Sequence, residues 1–92
     1  MALFIDTNGV VFFIQPEKST FSVEELYTHL QCTTIEMIDV DYDTIMIIDE
    51  EGKFKENSKF NFIGTFLLHT NNGLSKDSIV GYAILADKSE LS

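Results

Sequence analysis

Asp39, Asp41, Asp43 and Glu50 stand at the first, third, fifth and twelfth places of a calcium loop of the EF-hand kind, in which carboxylates at that spacing wrap one cation. The sixth place, which needs glycine for a sharp turn, is Thr44, and Ile45-Met46-Ile47-Ile48 is strand-forming where such a loop must curl. A solvated hairpin tip accounts for the spacing better, with a weak divalent-cation site on the acidic turn as the alternative, and no metal ligand is assigned. His29 and His69 could serve metal or acid–base chemistry, yet no H-x-H, H-x-x-x-H or H-E-x-x-H spacing sets two ligands on one element. Cys32 is the single thiol. Gln31, Thr33 and Thr34 beside it supply no base or cation to form a thiolate, and His29 lies three positions back, so a small buried hydrophobe is expected. The glycines at 9, 52, 64, 73 and 81 are too scattered to cradle phosphate, and no G-x-S-x-G elbow occurs. The sequence therefore names no catalytic residue and no cofactor; an enzyme would need a dispersed site assembled by the fold.

What must position these groups is a segment of unusual composition. Seven of the chain's 15 acidic residues (Glu36, Asp39, Asp41, Asp43, Asp49, Glu50 and Glu51) fall between 36 and 51, where there is no Lys or Arg. They alternate with Ile35, Ile38, Ile45, Met46, Ile47 and Ile48. Unpaired carboxylates are almost never buried, so strand alternation must send the apolar set inward and the acids towards water, a partner or a cation.

The 92 residues form one domain, 1–92, near the lower end of what folds without metal or disulfide support. A hydrophobic fraction of 45% excludes intrinsic disorder. The net charge of −9 repels phosphate, which disfavours direct nucleic-acid or anionic-membrane binding. It suits plain solubility, or a carboxylate patch that meets a basic protein surface. A lone Cys32 fits a reducing compartment, so a cytoplasmic location is expected. No basic leader or long apolar stretch indicates secretion or a membrane span.

Leu3–Ile5 and Val10–Ile14 flank Thr7-Asn8-Gly9, the turn chemistry of a β-hairpin. Pro16 stops the second strand. Ser22-Val23-Glu24-Glu25 is a capping box, and Val23, Leu26, Tyr27 and Leu30 make one helical stripe, predicting a helix over 22–31. Asp41-Tyr42-Asp43 then separates two strand-like runs, 34–40 and 44–49, and Glu50-Glu51-Gly52-Lys53 reads as a turn with Gly52 free to take positive φ. Residues 54–58 read as polar loop, 60–69 as a short helix or a strand, and Asn71-Asn72-Gly73 as a turn. The apolar run 78–86 predicts a central strand with Gly81 at a bulge or close approach, and 87–92 a fraying tail.

In order, the helix, Ile35-Glu36-Met37-Ile38, Asp49-Glu50-Glu51-Gly52-Lys53, Asn61 with Thr65, and Ile79-Val80-Gly81 resemble a family of small domains of unknown function carried by phages, plasmids and conjugative elements. That family's pattern has Asn where this chain has Asp49, and Ala where it has Gly64. The resemblance spans roughly 14–86 and implies a mobile-element setting rather than a reaction. It draws attention to Glu50, Glu51, Lys53 and Asn61, for which turn and capping roles are the alternative.

The expected fold is α+β: a small, mainly antiparallel twisted sheet of two β-hairpins plus a C-terminal strand, with one or two helices packed on it. Both faces of the first hairpin are apolar, so one is expected under the helix and the other partly under a partner, which favours a homodimer. The expected function is a non-catalytic protein-interaction or regulatory module, a mobile-element accessory factor meeting an unidentified host protein with a basic surface. Its binding residues would be Asp39, Asp41, Asp43, Glu50, Glu51, Lys53 and Asn61. The alternative is a small-molecule or nucleotide-binding domain with a pocket between helix and sheet, or a small enzyme. Lys53, Lys55 and Lys59 cluster in sequence and would have to gather for an anionic ligand.

Overall fold

The computed structural model describes residues 1–56, 58–72 and 77–91. Strands β1 (Ala2–Ile5) and β2 (Val11–Ile14) form the first hairpin, closed by the Asp6 N–H donating to the Val10 carbonyl at 2.8 Å and by Gly9 at φ +86°. Helix α1 (Val23–Leu30) begins at the expected capping box: the Glu25 N–H donates to Ser22 Oγ at 3.2 Å, and the Ser22 N–H donates back to the Glu25 carboxylate at 3.1 Å. It ends at Gln31, a non-glycine residue in the left-handed region at φ 55°. Strands β3 (Ile35–Asp39) and β4 (Thr44–Asp49) form the second hairpin, α2 (Phe62–Asn71) follows, and β5 (Ala83–Asp87) completes a sheet in the order β2-β1-β5-β4-β3 with every pair antiparallel. The fold is α+β, and the C-terminal strand is central as its apolar composition requires.

Three local expectations need correction. The run from 78 to 86 is not one strand: Ile79 is fully buried but lies outside the sheet, Gly81 turns the chain at φ +85°, and β5 starts only at Ala83. Gly52 does not use positive φ; a Cβ there would sit 3.0 Å from the Val80 carbonyl oxygen, so glycine is required by a close backbone approach in a short 3-10 turn, Gly52–Phe54. The segment from Asp87 to Leu91 is tied down. Asp87 caps a 3-10 turn over Lys88–Glu90, the Phe21 N–H donates to the Glu90 carbonyl at 2.7 Å, and the Met1 amine pairs with the Glu90 carboxylate. Asn57, Gly73 and Ser92, assigned to a loop, a turn and the tail, lie outside the described residues.

Both sheet faces are covered from within the chain. Leu26 and Leu30 of α1 pack with Phe4, Ile45, Ile47 and Ile84 on one face, and Leu68 of α2 packs with Ile5, Met46, Ile48 and Ala83 on the other. This explains why β4 is buried from Ile45 to Asp49 and why alternation fades in the sequence. The ambiguous segment at 60–69 is a helix because Asn61 caps it, its Oδ1 accepting from the Gly64 N–H at 2.9 Å. Thus α2 covers the second face over β1, β4 and β5, whereas Val11, Phe12 and Phe13 of β2 stay exposed.

Candidate functional site

The second hairpin distributes its acids unequally. Asp39, Asp41, Asp43, Glu36, Glu50 and Glu51 are exposed, whereas Asp49 is buried. Asp41 is occupied by the turn itself: its Oδ1 accepts from the Asp43 N–H at 3.0 Å and the Thr44 N–H at 2.9 Å, the local bonding that Asp offers a tight connection. Asp39 meets Lys88 Nζ at 3.2 Å, and the Asp43 carbonyl accepts from the Lys88 N–H at 2.8 Å. The calcium-loop spacing is therefore a hairpin spacing, with Glu50 carried to the far end of β4. Among the described residues no three His, Cys, Asp or Glu side chains gather in a metal-holding group.

At that far end Glu36 and Glu50 come together with Asp77 and Lys53 around a groove of about 210 Å³ floored by Ile38, Ile48 and Val80, with Phe54 at its side. Phe54 is 87% exposed, and Met37 and Tyr42 are also exposed on this hairpin. Carboxylates above an aliphatic floor match the two ends of a lysine or arginine side chain, an apolar stem and a cationic head. Of the seven residues singled out from the sequence, Glu50 and Lys53 line this groove, Glu51 is exposed beside it, and Asp39, Asp41 and Asp43 mark the opposite end of the hairpin. Asn61 is elsewhere and wholly buried; its amide nitrogen donates to the Ile5 and Gly81 carbonyls at 3.0 and 2.8 Å, so its polar atoms are used within the fold.

A second cleft, of about 470 Å³, opens at the end of the sheet where β1 and β4 finish and β5 begins. Thr7 and Asn8 from the first turn, Leu30 and Gln31 from the end of α1, and Lys55, Lys59 and Tyr82 line it. Asp49 binds Lys55 Nζ at 2.5 Å and accepts the Glu51 N–H at 2.9 Å, and that hydrogen bond to Asp49 raises the Lys55 pKa above its ordinary value. Lys55 also borders a shallow depression holding Cys32, whose thiol is pushed up by burial first and then by the charge of Asp49. Cys32 therefore stays a thiol near neutral pH rather than an activated nucleophile. Lys55 and Lys59 share the cleft while Lys53 points into the acidic groove, so the three lysines are divided between two sites. The histidines are divided as well: His29 packs near Phe4 and Phe21 on the α1 side, and His69 on α2 contacts the Asp77 carbonyl at 2.6 Å.

Sequence reasoning offered a pocket between helix and sheet and named Lys55 and Lys59, but missed the rest of this lining because it comes from separate segments. The available signal was an acid at the end of β4, where Asp49 continues the apolar run Ile45-Met46-Ile47-Ile48 without a break. The groove was half legible through Glu50 and Lys53, but Val80 and Asp77 are brought to it only by the chain's return to β5.

Among known families, the model of a domain of unknown function, DUF3846, matches residues 2–90, and the chain belongs to that family. No curated protein and no solved structure matches it.

Proposed function

We propose that this DUF3846 domain is a non-catalytic binding module that docks a basic protein surface along the β3–β4 edge, seating a lysine or arginine side chain of the partner in the acidic groove. The groove carries this reading: Glu36, Glu50 and Asp77 surround an aliphatic floor of Ile38, Ile48 and Val80, beside an exposed Phe54. Exposed carboxylates steer a basic partner to the edge, and the apolar side chains among them supply contact area once it arrives. The sequence pattern shared with domains of phages, plasmids and conjugative elements supports placing that partner among host proteins, and the lone Cys32 suits a reducing cytoplasm.

Titration of isotope-labelled protein with a short arginine-containing peptide tests the groove. Shifts centred on Glu36, Glu50 and Val80, lost in a Glu36→Gln/Glu50→Gln variant and weakened by salt, are expected. Shifts spread evenly over all exposed carboxylates would overturn it. Capture from host lysate with the same pair of proteins then addresses the partner itself.

A second reading is favoured by the larger cleft. Its amides, hydroxyls and lysines, with the carboxylates of Asp49 and Glu56, around an apolar Leu30 wall are a polar-and-apolar lining of the kind small molecules use, lying between α1 and the sheet. Thermal shifts with a panel of nucleotides and small carboxylates, abolished by Lys59→Ala, would support this reading.

A further inference from the structure

The two edges of the sheet are built on opposite principles. Strand β3 carries exposed carboxylates on both faces: Glu36, opposite Ile48, lies on the α2 side, and Asp39, opposite Ile45, lies on the α1 side. Such charges protect an open edge from pairing with another chain. Strand β2 has no charge and no proline, and Val11, Phe12 and Phe13 are 38, 47 and 66% exposed. An apolar, unguarded edge that, among the described residues, hydrogen-bonds to β1 alone is a strand awaiting a neighbour.

We propose that β2 pairs antiparallel with β2 of a second copy, so that one sheet runs through a two-fold homodimer. The hydrogen-bond phase fits. Because the Asp6 N–H is satisfied by the Val10 carbonyl, alternation turns the backbone groups of Phe12 and Ile14 towards β1 and those of Val11 and Phe13 outward. Pairing centred on Phe12 lets Val11 exchange both backbone bonds with Phe13 of the other copy, and the reverse, while Phe12 meets its counterpart at the closer, non-bonded position. On the α1 face Phe12 already stacks on Phe4 with ring centroids 4.9 Å apart, so the joint extends an existing aromatic layer. On the α2 face Val11 and Phe13 continue the half-buried Leu3.

The self-complementary register of this uncharged strand selects a second copy as the occupant, and charge does not oppose it even at −9 per chain. The acidic hairpin is at the far edge, four strand spacings or roughly 19 Å from β2, and pairing through β2 sets the two acidic edges about 43 Å apart. Screening acts over about 10 Å, so the like charges do not oppose this joint. The same geometry leaves both acidic grooves open, and the inference does not rest on their proposed role.

Sedimentation of the whole chain against concentration, with amide exchange on the same samples, tests the dimer. The mass is expected to rise towards twice that of the monomer, with exchange at Val11 and Phe13 slowing at least tenfold over the same range. Phe13→Lys, at an exposed position, is expected to keep the circular dichroism spectrum and remain a monomer. A monomer up to on the order of 1 mM, the weak limit of specific association, would overturn the proposal. So would a dimer that leaves those two amides fast, or a folded Phe13→Lys dimer. Protection of the two amides only by an added extended peptide would assign the edge to another chain instead. Should Phe13→Lys fail to fold, exchange in the wild-type chain decides.

Discussion

Asn61 donates from Nδ2 to the carbonyl of Ile5 at 3.0 Å, joining the start of α2 to the end of β1 across 56 positions of sequence. The same nitrogen donates to the Gly81 carbonyl at 2.8 Å, and Oδ1 caps α2 at Gly64. One buried amide thus fixes the helix that covers the second face, the end of the first strand and the approach to the central one. Asn61→Ala removes a helix cap and leaves two carbonyls short of a partner, a loss expected at about 2–5 kcal/mol. Asn61→Asp keeps the acceptor but turns a carboxylate against both carbonyls, and is also expected to destabilise. Denaturant midpoints check both; a wild-type midpoint in Asn61→Ala would remove this role.

Ser22→Ala deletes the acceptor for the Glu25 N–H and is expected to cost about 0.5–2 kcal/mol. Urea denaturation followed by helical ellipticity measures it. Ser22→Asp, which can accept the same bond, should restore most of the loss.

Core truncation should separate residues that were adjacent in the apolar run. Ile79 and Ile84 are fully buried, and each replaced by Ala is expected to lose about 2–5 kcal/mol. Val80 and Leu85 are half-buried, and shortening them should cost less. Equal losses at Leu85 and Ile84 would contradict the assignment of faces.

Stability should form a plateau in pH with a fall on each side. Hydrogen bonds from the Glu17 and Ser22 backbone hold Glu25 below the usual carboxylate range, and the Ser89 N–H does the same for Asp87. Their folded forms bind protons less readily than the unfolded chain, so their contribution is present above pH about 4 and lost as pH falls through the lowered values. Lys55 is raised by Asp49, so its contribution is present below pH about 10 and lost as pH climbs through the raised value. Denaturant midpoints across pH, repeated with Glu25→Gln, check the acid limb, which should flatten in that variant.

Cys32 should alkylate more slowly in the native chain than after unfolding, because burial and the Asp49 carboxylate both disfavour its thiolate. Iodoacetamide labelling near neutral pH, with and without denaturant, compares the rates. Equal rates would show that the thiol is freely exposed and unperturbed.

Local chemistry was legible in the sequence wherever a few neighbouring residues complete the interaction. Asn8-Gly9 sets its own turn, Ser22 and Glu25 satisfy each other within one helical turn, and Asp41 between two isoleucine-rich runs bonds the amides beside it. These elements and the α+β class follow from hydrogen bonds and side-chain periods that close over short distances. The sequence could also show that carboxylates crowd the second hairpin, but not which of them turns inward. Asp49 does so only because Lys55 returns to meet it at 2.5 Å. Likewise Asn61 reads as a turn residue until Ile5 and Gly81 are set around it, and Gly52 as a flexible one until Val80 passes 3.0 Å from where a Cβ would stand. The second helical cover, both clefts and the contrast between the β2 and β3 edges depend on strand order. Strand order is decided by which distant apolar faces can be buried together, a global minimum that no short window of sequence contains.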